Sequence, residues 1–481
     1  MDQVALLTQD IEDCFEAKKK AGAVFIDLTA AYDTVWHRGL TCKLLRLLPD
    51  RHMVKMIMEL VWNRSFTLTT SNGDKSRLRR LKNGVPQGSV LAPLLYNIYT
   101  YDLPATVSRR FAYADDLALL HSGRNWQASE GTLGQDMETL VAYLHNWRLK
   151  LSESKTVTQA FHLYNREADR EIRFEVRKPD GASLTLSRPR PTPEDPRPDP
   201  KYLGVTLDRS LTFRKHLLAT RKKLNTRVSL LRRLVGSGWG AWARTLQTAV
   251  LALVYSTAEY CAPVWVRSAH SKQLDVPINE ALRVITGCLR PTPVELLPIL
   301  AGIQPAELRR QGAVATLAGR ANMDENHLLH ERLTLSSEPT PRLPSRDPLV
   351  PAALKLLQQC SDNNIRAAHW ANHKWSTDLE HTISSRLRDF IPDTGSIPGL
   401  SLPRAAWVRL NRLRTGVGRF RSNMFQWGLA PNATCECGAE EQTADHVILR
   451  CPIYRAPNGL RGMADLDDCS VTWLTSVCPD I

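Results

Sequence analysis

Hydrophobic and polar residues alternate along the first part of the chain in patterns that switch between helical and strand spacing. Apolar residues at helical spacing predict helices over 4–20, 40–61 and 137–151. The apolar and partly β-branched run 23–26 instead predicts a buried strand, which ends at Asp27. The first part of the chain is therefore predicted to mix helices with strands.

Two further segments have the pattern of β-hairpins. Residues 66–69 and 76–81 predict two strands around a turn at 71–74. The segment 111–120 predicts a second hairpin, with apolar residues on both sides of an acidic tip. Between the two hairpins, the loop 83–88 leads into a predicted helix.

Two Pro-rich segments, 188–200 and 336–350, interrupt the rest of the chain. The first is predicted to be an exposed loop inside a hairpin, because a strand pattern resumes at 201–205. Helical spacing dominates from 214 to 335, and a small Cys- and His-bearing unit begins near 401. The predicted regions are 1–207, 208–335, 336–400 and 401–481.

The composition adds a strong positive charge to this picture. The 481 residues are 43% hydrophobic and 23% charged, as in globular proteins of several domains, and the net charge is +14. Eleven Lys or Arg and one acidic residue lie between 201 and 244, and six Arg and no acid lie between 404 and 421. Such local excess favours a polyanionic partner, most often nucleic acid, although a solvated surface is the simpler alternative.

The ten cysteines occur mostly singly, and no secretory signal precedes them. We therefore expect reduced thiols and a nuclear or cytoplasmic location rather than secretion. The most apolar stretch, 246–254, is too short to span a bilayer, so no membrane partner is expected. The sequence carries no signal for the oligomeric state.

Three carboxylates lie where predicted strands end: Asp27 after the strand 23–26, and Asp115 with Asp116 at the tip of the hairpin 111–120. Two magnesium ions need hard oxygen ligands that converge from different elements, and they can activate a 3′-hydroxyl and stabilise a leaving pyrophosphate. An Asp-Asp pair can also serve a tight turn alone. The apolar flanks favour a metal site, because unpaired charge beside a core is costly.

These motifs resemble the reverse transcriptases of non-LTR (LINE-type) retrotransposons, most of all the Jockey group. The resemblance extends from the first residues to about 300 and rests on five motifs in the family's order. They are FIDL at 25–28 with AYDTVW at 31–36, NGVPQGSVLAP at 83–93, YADD at 113–116, LSESKT at 151–156 and KYLGV at 201–205. The resemblance implies an α+β fold: a right-hand palm of antiparallel sheet packed on helices, then an α-helical thumb and a small C-terminal Cys/His unit.

The same resemblance implies roles for single residues. Asp27 and Asp115 would bind two Mg²⁺ ions, with Asp116 as a weaker third ligand. Tyr32 would lie under the incoming sugar, with a core aromatic as its alternative role, and Lys155 would approach the pyrophosphate unless it is only a solvated charge. The loop residues implied to lie against nucleotide and template, or else to form an ordinary Pro-Gly turn, are Gly84, Pro86, Gln87 and Gly88.

The family's fingers precede the first palm motif, whereas here only about twenty residues precede the strand at 23–26. The chain is therefore interpreted as an N-terminally truncated part of a longer reading frame or a degenerate copy. Most of the fingers and the upstream endonuclease of such elements are expected to be missing from it.

Basic residues over 214–256 fit a thumb that contacts template–primer phosphates. The residues named for this contact are Arg214, Lys215, Arg221, Lys222 and Lys223. Near the end of the chain, Cys435, Cys437, His446 and Cys451 could complete a tetrahedral zinc site, the alternative being reduced cysteines in a small core. The Arg residues of 404–421, next to this cluster, are predicted to suit nucleic-acid contact.

The sequence thus predicts an RNA-directed DNA polymerase that uses an RNA template, a DNA primer or target DNA, and deoxynucleoside triphosphates. The alternative function is a catalytically inactive nucleic-acid-binding remnant of such an element. A group II intron maturase or a telomerase fits less well, because of the AYDTVW motif and the C-terminal cysteines.

Overall fold

The structure is a computed structural model, and it describes residues 1–334, 342–343, 346–382, 387 and 397–481. By their contacts the residues form two compact units. Parts of the predicted linker 336–350 and of the predicted helical segment 351–388 lie outside the described residues. The units are Met1–Phe213 with Pro339–Ser345, and Arg214–Glu338 with Arg346–Ile481.

In its described residues, the first unit is built on a four-stranded antiparallel sheet and three two-stranded ones. Its strands are β1 (Lys20–Ile26), β2 (Ser65–Phe66), β3 (Arg79–Arg80), β4 (Arg109–Tyr113), β5 (Asp116–Gly123), β6 (Val157–Phe161), β7 (Phe174–Arg177), β8 (Ser183–Leu186), β9 (Lys201–Tyr202) and β10 (Val205–Thr206). The four-stranded sheet has the order β4-β5-β1-β6, so β1 lies in its interior.

Six helices accompany these strands in the part of the unit that the structure describes. They are α1 (Asp2–Glu16), α2 (Ala31–Thr34), α3 (His37–Leu47), α4 (Arg51–Val61), α5 (Ala92–Thr100) and α6 (Trp126–Asn146), with a 3₁₀ turn at Asn165–Glu167. Val24 and Ile26 of β1 belong to one core with Leu133, Met137 and Leu140 of α6. The first unit is thus an antiparallel sheet packed on helices, and the predicted α+β class is confirmed.

β1 is buried from Ala21 to Ile26, as expected for a strand bonded on both edges. Its side chains alternate between two environments. Val24 and Ile26 face the core shared with α6, whereas the Phe25 ring lies 6.5 Å from that of Phe161 and 5.7 Å from that of Tyr202. This packing on both faces holds the end of β1, where Asp27 follows, in a fixed place.

Several element boundaries differ from the sequence prediction. The predicted helix 40–61 is two helices, α3 and α4, because Pro49 cannot continue the first, and the Asp50 side chain caps the second by accepting from the His52 amide at 2.8 Å. The strand β1 begins at Lys20, within the predicted helix 4–20. The predicted strands 66–69 and 76–81 pair over only two residues each, with one further bridge between Thr69 and Lys75.

The Pro-rich segment 188–200 contains no helix or strand, as predicted, but its placement inside a hairpin is wrong. β8 pairs with β7, and β9 pairs with β10, so each strand has its partner on its own side of the segment. The segment therefore joins two separate hairpins.

The described part of the second unit is helical. Its α-helices are α7 (Arg214–Arg232), α8 (Ala243–Val250), α9 (Ser256–Ala258), α10 (Ala262–Trp265), α11 (Asp275–Thr286), α12 (Leu296–Ala301), α13 (Ala306–Met323), α14 (His330–Thr334), α15 (Leu349–Asp362), α16 (Trp370–Thr382), α17 (Arg404–Thr415), α18 (Arg421–Gln426), α19 (Gly459–Asp465) and α20 (Asp468–Ser476). Short π-helical turns occupy Leu251–Tyr255 and His446–Arg450, and 3₁₀ turns Ser271–Leu274 and Ala367–His369. None of the described helices combines the length and apolar character needed to cross a membrane.

Side chains of helix α17 cap the C-terminal end of α11. The Arg404 guanidinium donates to the carbonyls of Val284 at 2.9 Å and Ile285 at 2.6 Å, and the Trp407 indole also donates to Ile285, at 2.9 Å. The last carbonyls of a helix lack partners within it, and positive charge there is favourable. α17 therefore supplies the missing partners of α11.

The predicted use of the Arg residues of 404–421 for nucleic-acid contact is wrong for three of them. Arg404, Arg412 and Arg414 are buried, and burial lowers the pKa of Arg404 to about 10 and that of Arg414 to about 9. Arg412 donates to the Gly287 carbonyl at 3.2 Å. These three side chains donate to backbone carbonyls inside the second unit and are not accessible to the phosphates of a nucleic acid.

Candidate active site and cysteine cluster

The sheet register brings the three predicted carboxylates to one edge. Ile26 of β1 pairs with Leu117 of β5, so Asp27 and Asp116 are the next residues beyond that pair, on neighbouring strands. Asp115 lies in the turn between β4 and β5, where Ala114 adopts a left-handed conformation with φ of 52°. The hairpin tip thus holds Asp115 and Asp116 beside the end of β1.

The carboxylates influence one another. Asp116 is half-buried, and its pKa is raised first by burial and then by the negative charges of Asp115 and Asp27. The Lys155 ammonium lies 3.6 Å from the Asp27 carboxylate, and its side chain is 72% exposed. A divalent cation would relieve the repulsion that raises this pKa, so the donor set fits magnesium.

Lys155 comes from a segment that is attached to the end of β1. The Ser152 amide donates to the Asp27 carbonyl at 2.8 Å, and the Asp27 amide donates to the Thr156 hydroxyl at 3.3 Å. Leu28 and Leu151 form an antiparallel bridge next to these bonds. The motif 151–156 therefore lies directly against the first carboxylate.

Tyr32 of α2 lies flat against a second aromatic ring. Its ring centroid is 4.6 Å from that of Tyr96, and the two planes differ by 12°. Burial and then the charge of Asp115 raise the pKa of both phenols. Tyr32 is only partly buried, whereas Tyr96 is fully buried beneath it.

The loop 83–88 docks on the segment that carries Tyr32. The Gly84 amide donates to the Val35 carbonyl at 2.8 Å, and the Val85 amide donates to the Tyr32 carbonyl at 2.9 Å. A Cβ on Gly84 would lie 2.8 Å from the Asp33 carbonyl oxygen, and its φ is +88°. Glycine is therefore required at 84 by close approach to the chain itself.

The remainder of this loop is open. The Gln87 amide donates to the Asp33 carboxylate at 3.2 Å. Gly88 has a φ of +85°, and a Cβ there would meet nothing within 4 Å. The loop residues Gly84, Pro86, Gln87 and Gly88 therefore lie in one loop held against the Tyr32 segment, with its end open to solvent.

A family model described as "Reverse transcriptase (RNA-dependent DNA polymerase)" matches residues 2–207. Residues 2–207 are a reverse transcriptase domain. This domain contains all five motifs and the three carboxylates at the edge of its sheet.

Curated relatives place the domain among non-LTR retrotransposons, as predicted. The "probable RNA-directed DNA polymerase from transposon BS" of Drosophila melanogaster is 33% identical over 60% of this chain and 31% of that protein. The RNA-directed DNA polymerase from the mobile element jockey of Drosophila funebris is 30% identical over 47% of this chain and 24% of that protein.

A Pol polyprotein from a type-1 retrotransposable element (R1 2) of Nasonia vitripennis is 23% identical over 81% of this chain and 88% of that protein. The chain spans about a third of the length of the BS relative, and about a third of the "probable RNA-directed DNA polymerase from transposon X-element" of Drosophila melanogaster. A structure of telomerase from Candida albicans aligns with 59% of this chain and 52% of that chain, at 12% identity and a TM-score of 0.28.

The structure adds residues to the reverse transcriptase site that the sequence prediction did not name. Tyr96 supports the Tyr32 ring, and His37 contacts the Gly84 carbonyl through Nε2 at 2.8 Å. Tyr202 is buried, and its pKa is raised by burial and by Asp116. The signals available in the sequence were the aromatic residue in the helix after the loop and the position of Tyr202 in the KYLGV motif.

The predicted zinc ligands converge in the second unit. The ligand atoms of Cys435, Cys437, His446 and Cys451 all lie within 4.8 Å of one another. The Cys435 and Cys451 sulfurs are 3.8 Å apart, and the Cys437 sulfur is 3.2 Å from His446 Nε2. A tetrahedral zinc ion with Zn–S bonds of about 2.3 Å would separate two sulfurs by about 3.8 Å, so the donor set fits zinc.

A tight turn accounts for the single residue between the first two cysteines. The Cys435 amide donates to the Ala439 carbonyl at 2.9 Å, and Gly438 has a left-handed φ of +91°. A backbone hydrogen bond at Ala439 lowers the pKa of the Cys437 thiol, which favours the thiolate that a metal binds. The ten cysteines, all within the described residues, form no disulfide in the structure.

Helix α7 separates an apolar face from a basic one. Its buried residues include Leu217, Leu224, Val228 and Leu231. The predicted contact residues lie elsewhere on the helix: Arg214, Lys222 and Lys223 are exposed, and Lys215 and Arg221 are half-buried. The helix therefore presents positive charge to solvent along one side, while the role of that side remains a prediction.

Proposed function

We propose that the chain catalyses RNA-directed DNA synthesis, by transfer of a deoxynucleotide to the 3′-hydroxyl of a DNA primer on an RNA template. The observation that carries this proposal is the convergence of Asp27, Asp115 and Asp116 at one edge of the sheet of a reverse transcriptase domain. Acidic oxygens from two strand ends are the arrangement that nucleotidyl transfer needs.

Asp27 and Asp115 would hold two Mg²⁺ ions, with Asp116 as a third ligand, and the ions would activate the 3′-hydroxyl and stabilise the pyrophosphate. Tyr32, held flat by Tyr96, would lie under the sugar of the incoming nucleotide and exclude a 2′-hydroxyl. Lys155, within reach of Asp27, would neutralise charge on the pyrophosphate.

The open end of the loop 83–88 supports a second part of the proposal. Gly88 leaves space where a side chain would otherwise stand, so nucleotide and template can approach the backbone of Pro86, Gln87 and Gly88. The Gln87–Asp33 hydrogen bond fixes the loop against the segment of Tyr32. The basic side of α7 would contribute phosphate contacts, as in a thumb.

Primer extension tests the polymerase proposal. The chain is given a DNA primer on an RNA template with deoxynucleotides and Mg²⁺, and we expect extension that Asp115→Asn abolishes. Asp180→Asn is the matched control, because Asp180 lies in an exposed turn of the same unit and an Asn there keeps the acceptor for the Ala182 amide. If the unchanged chain extends the primer no more than Asp115→Asn does, the polymerase proposal is rejected in favour of the inactive nucleic-acid-binding remnant.

We further propose that the four-residue cysteine cluster binds one zinc ion with a structural role, since three thiolates and an imidazole leave no open position. Metal analysis of the purified chain should find about one zinc per chain, lost in Cys451→Ser. Cys469→Ser is the control, because Cys469 is exposed and outside the cluster. Zinc retained in Cys451→Ser at the control level would contradict the site.

A further inference from the structure

The turn between α7 and α8 presents two tryptophans to solvent. Trp239 is 63% exposed and Trp242 is 56% exposed, whereas Trp265 and Trp407 of the same unit are fully buried. Large apolar side chains that stay exposed together mark an interaction surface more often than single ones do. The two indoles are therefore candidates for contact with a partner.

This turn has a defined backbone. Val235 and Gly240 form an antiparallel bridge, and the Gly236 amide donates to the Trp239 carbonyl at 2.9 Å. Arg404 Nε donates to the Gly236 carbonyl at 3.2 Å, which ties the turn to a buried guanidinium.

The Trp239 indole itself folds over the turn. A Cβ on Gly236 would lie 2.4 Å from the indole nitrogen of Trp239, so the indole lies directly against a residue without a side chain. An aromatic ring held in this way loses little conformational freedom when a ligand stacks on its open face.

The positive charge in the sequence around this turn indicates which class of partner the indoles would contact. Between 209 and 258 the sequence contains ten Lys or Arg and no Asp or Glu. Arg233 and Arg244 are exposed on either side of the tryptophans. Exposed aromatic rings with flanking cations are the surface that binds single-stranded nucleic acid, because bases stack on the rings and phosphates meet the cations. An apolar protein surface would gain nothing from this charge.

We propose that Trp239 and Trp242 form a stacking site for unpaired bases of the RNA template, with Arg233 and Arg244 as phosphate contacts. The inference rests on the proposed function, because RNA-templated synthesis pairs the DNA product and leaves the template as the unpaired strand. A duplex has its bases already stacked and offers the indoles no free face.

Binding of labelled substrates to the full chain, without deoxynucleotides, tests this inference. Three probes share one RNA–DNA hybrid: blunt, with a single-stranded 5′ RNA tail on the template, and with a single-stranded 5′ DNA tail on the primer strand. The variants are Trp239→Ala/Trp242→Ala and the conservative Trp239→Phe/Trp242→Phe. Met323→Ala is the control, because Met323 is an 88% exposed apolar residue of the same unit beside Asp324 and Glu325.

We expect the RNA tail to tighten binding of the unchanged chain and the double Ala variant to lose that gain, by about 5- to 150-fold for each stacked base. The Phe variant should keep most of it, and blunt-hybrid binding and Met323→Ala should change less than about twofold. The salt dependence should stay the same, because no phosphate contact is removed.

Three results would overturn the inference. They are an unchanged RNA-tail gain in the Ala variant, an equal loss on the blunt hybrid, and a loss on the DNA tail as large as that on the RNA tail. The last would mean that the indoles stack on single strands of either kind without preference for the template, and the first would show that they do not bind the template tail. Because the assay needs no catalysis, an inactive Asp115→Asn chain must show the same tail effect, which separates this inference from the polymerase proposal.

Discussion

Glycine serves two different purposes within the loop 83–88. Gly84 and Gly88 both have a positive φ, but only at Gly84 would a Cβ collide with backbone, at 2.8 Å from the Asp33 carbonyl oxygen and 2.9 Å from its Cα. Backbone atoms cannot swing away as a flexible side chain can. An alanine at either position would have a strained left-handed backbone, but only an alanine at 84 would also clash with the backbone of Asp33. The two glycines therefore form a matched pair for comparison.

We predict that Gly88→Ala lowers the free energy of unfolding by about 1–2 kcal/mol, from the left-handed conformation alone. Gly84→Ala should cost about 1–3 kcal/mol more, because it adds the clash with Asp33. Chemical denaturation of both variants measures the difference. Equal losses of unfolding free energy in the two variants would show that the backbone at Asp33 shifts easily, so that its contact with a Cβ at 84 costs little.

Asp116 predicts a pH dependence of stability. Its pKa is raised above the usual 3.8 by burial and by Asp115 and Asp27. A carboxyl with a raised pKa stabilises the fold below its ordinary pKa, and this contribution is lost as the pH rises through the raised value. At pH 7 without divalent cations, the ionised Asp116 therefore weakens the fold.

Asp116→Asn is accordingly expected to raise the melting temperature at pH 7 in EDTA by a few degrees, with the gain vanishing toward pH 3.8. Mg²⁺ should stabilise the unchanged chain more than the variant. Melting curves with Asp180→Asn as the control check both statements. A gain that does not depend on pH would mean that the charge of Asp116 is not its source.

At the scale of elements, the interior arginines of α17 connect two helices that are distant in sequence. Arg404 joins α17 to the last turn of α11 through two hydrogen bonds, to Val284 and Ile285, and donates a third to Gly236 in the turn between α7 and α8. Removing a buried donor leaves carbonyls without partners, which costs more than the bond itself contributes.

Arg404→Met should therefore lower the free energy of unfolding of the second unit by about 2–4 kcal/mol, while Arg419→Met should change it by less than about 0.5 kcal/mol. Arg419 is the matched control because it is exposed and lies just beyond α17. Denaturation followed by a probe in the second unit measures both. A nucleic-acid affinity that falls in Arg404→Met without loss of stability would restore the surface role for this residue.

The elements around the site could be predicted because their patterns are local. The strand before Asp27 is a continuous apolar run, and the hairpin around Asp115 has apolar residues on both sides of its acidic tip. The order of the five motifs implied that both belong to one antiparallel sheet, as the structure has them. The stack of Tyr32 on Tyr96 could not be predicted, because it depends on where α5 packs. The burial of Arg404 is a similar case: a cluster of cations looks the same in sequence whether it faces solvent or a row of carbonyls.

At the scale of the whole molecule, the net charge of +14 predicts that nucleic-acid binding depends on the salt concentration, and single basic residues should contribute measurably to that dependence. If Lys222 and Lys223 contact phosphates, Lys222→Gln/Lys223→Gln should reduce the slope of log affinity against log salt by about 1.4–1.8. Lys18→Gln/Lys19→Gln is the matched control, because it removes two adjacent exposed lysines from the first unit. Titration of a primed template at several salt concentrations measures the slopes, and equal reductions would show that position does not matter.

The capping of α11 by side chains of α17 also limits where recombination between two such chains can leave the fold intact. The carbonyl row at 284–287 and its donors at 404–412 are separated by more than a hundred residues, yet each completes the other. A crossover in the intervening sequence would join the α11 of one element to the α17 of another and leave mismatched partners inside the fold. We therefore expect that a segment exchanged together with the cysteine cluster keeps its fold only if it begins upstream of α11, rather than at the Pro-rich segment 336–350.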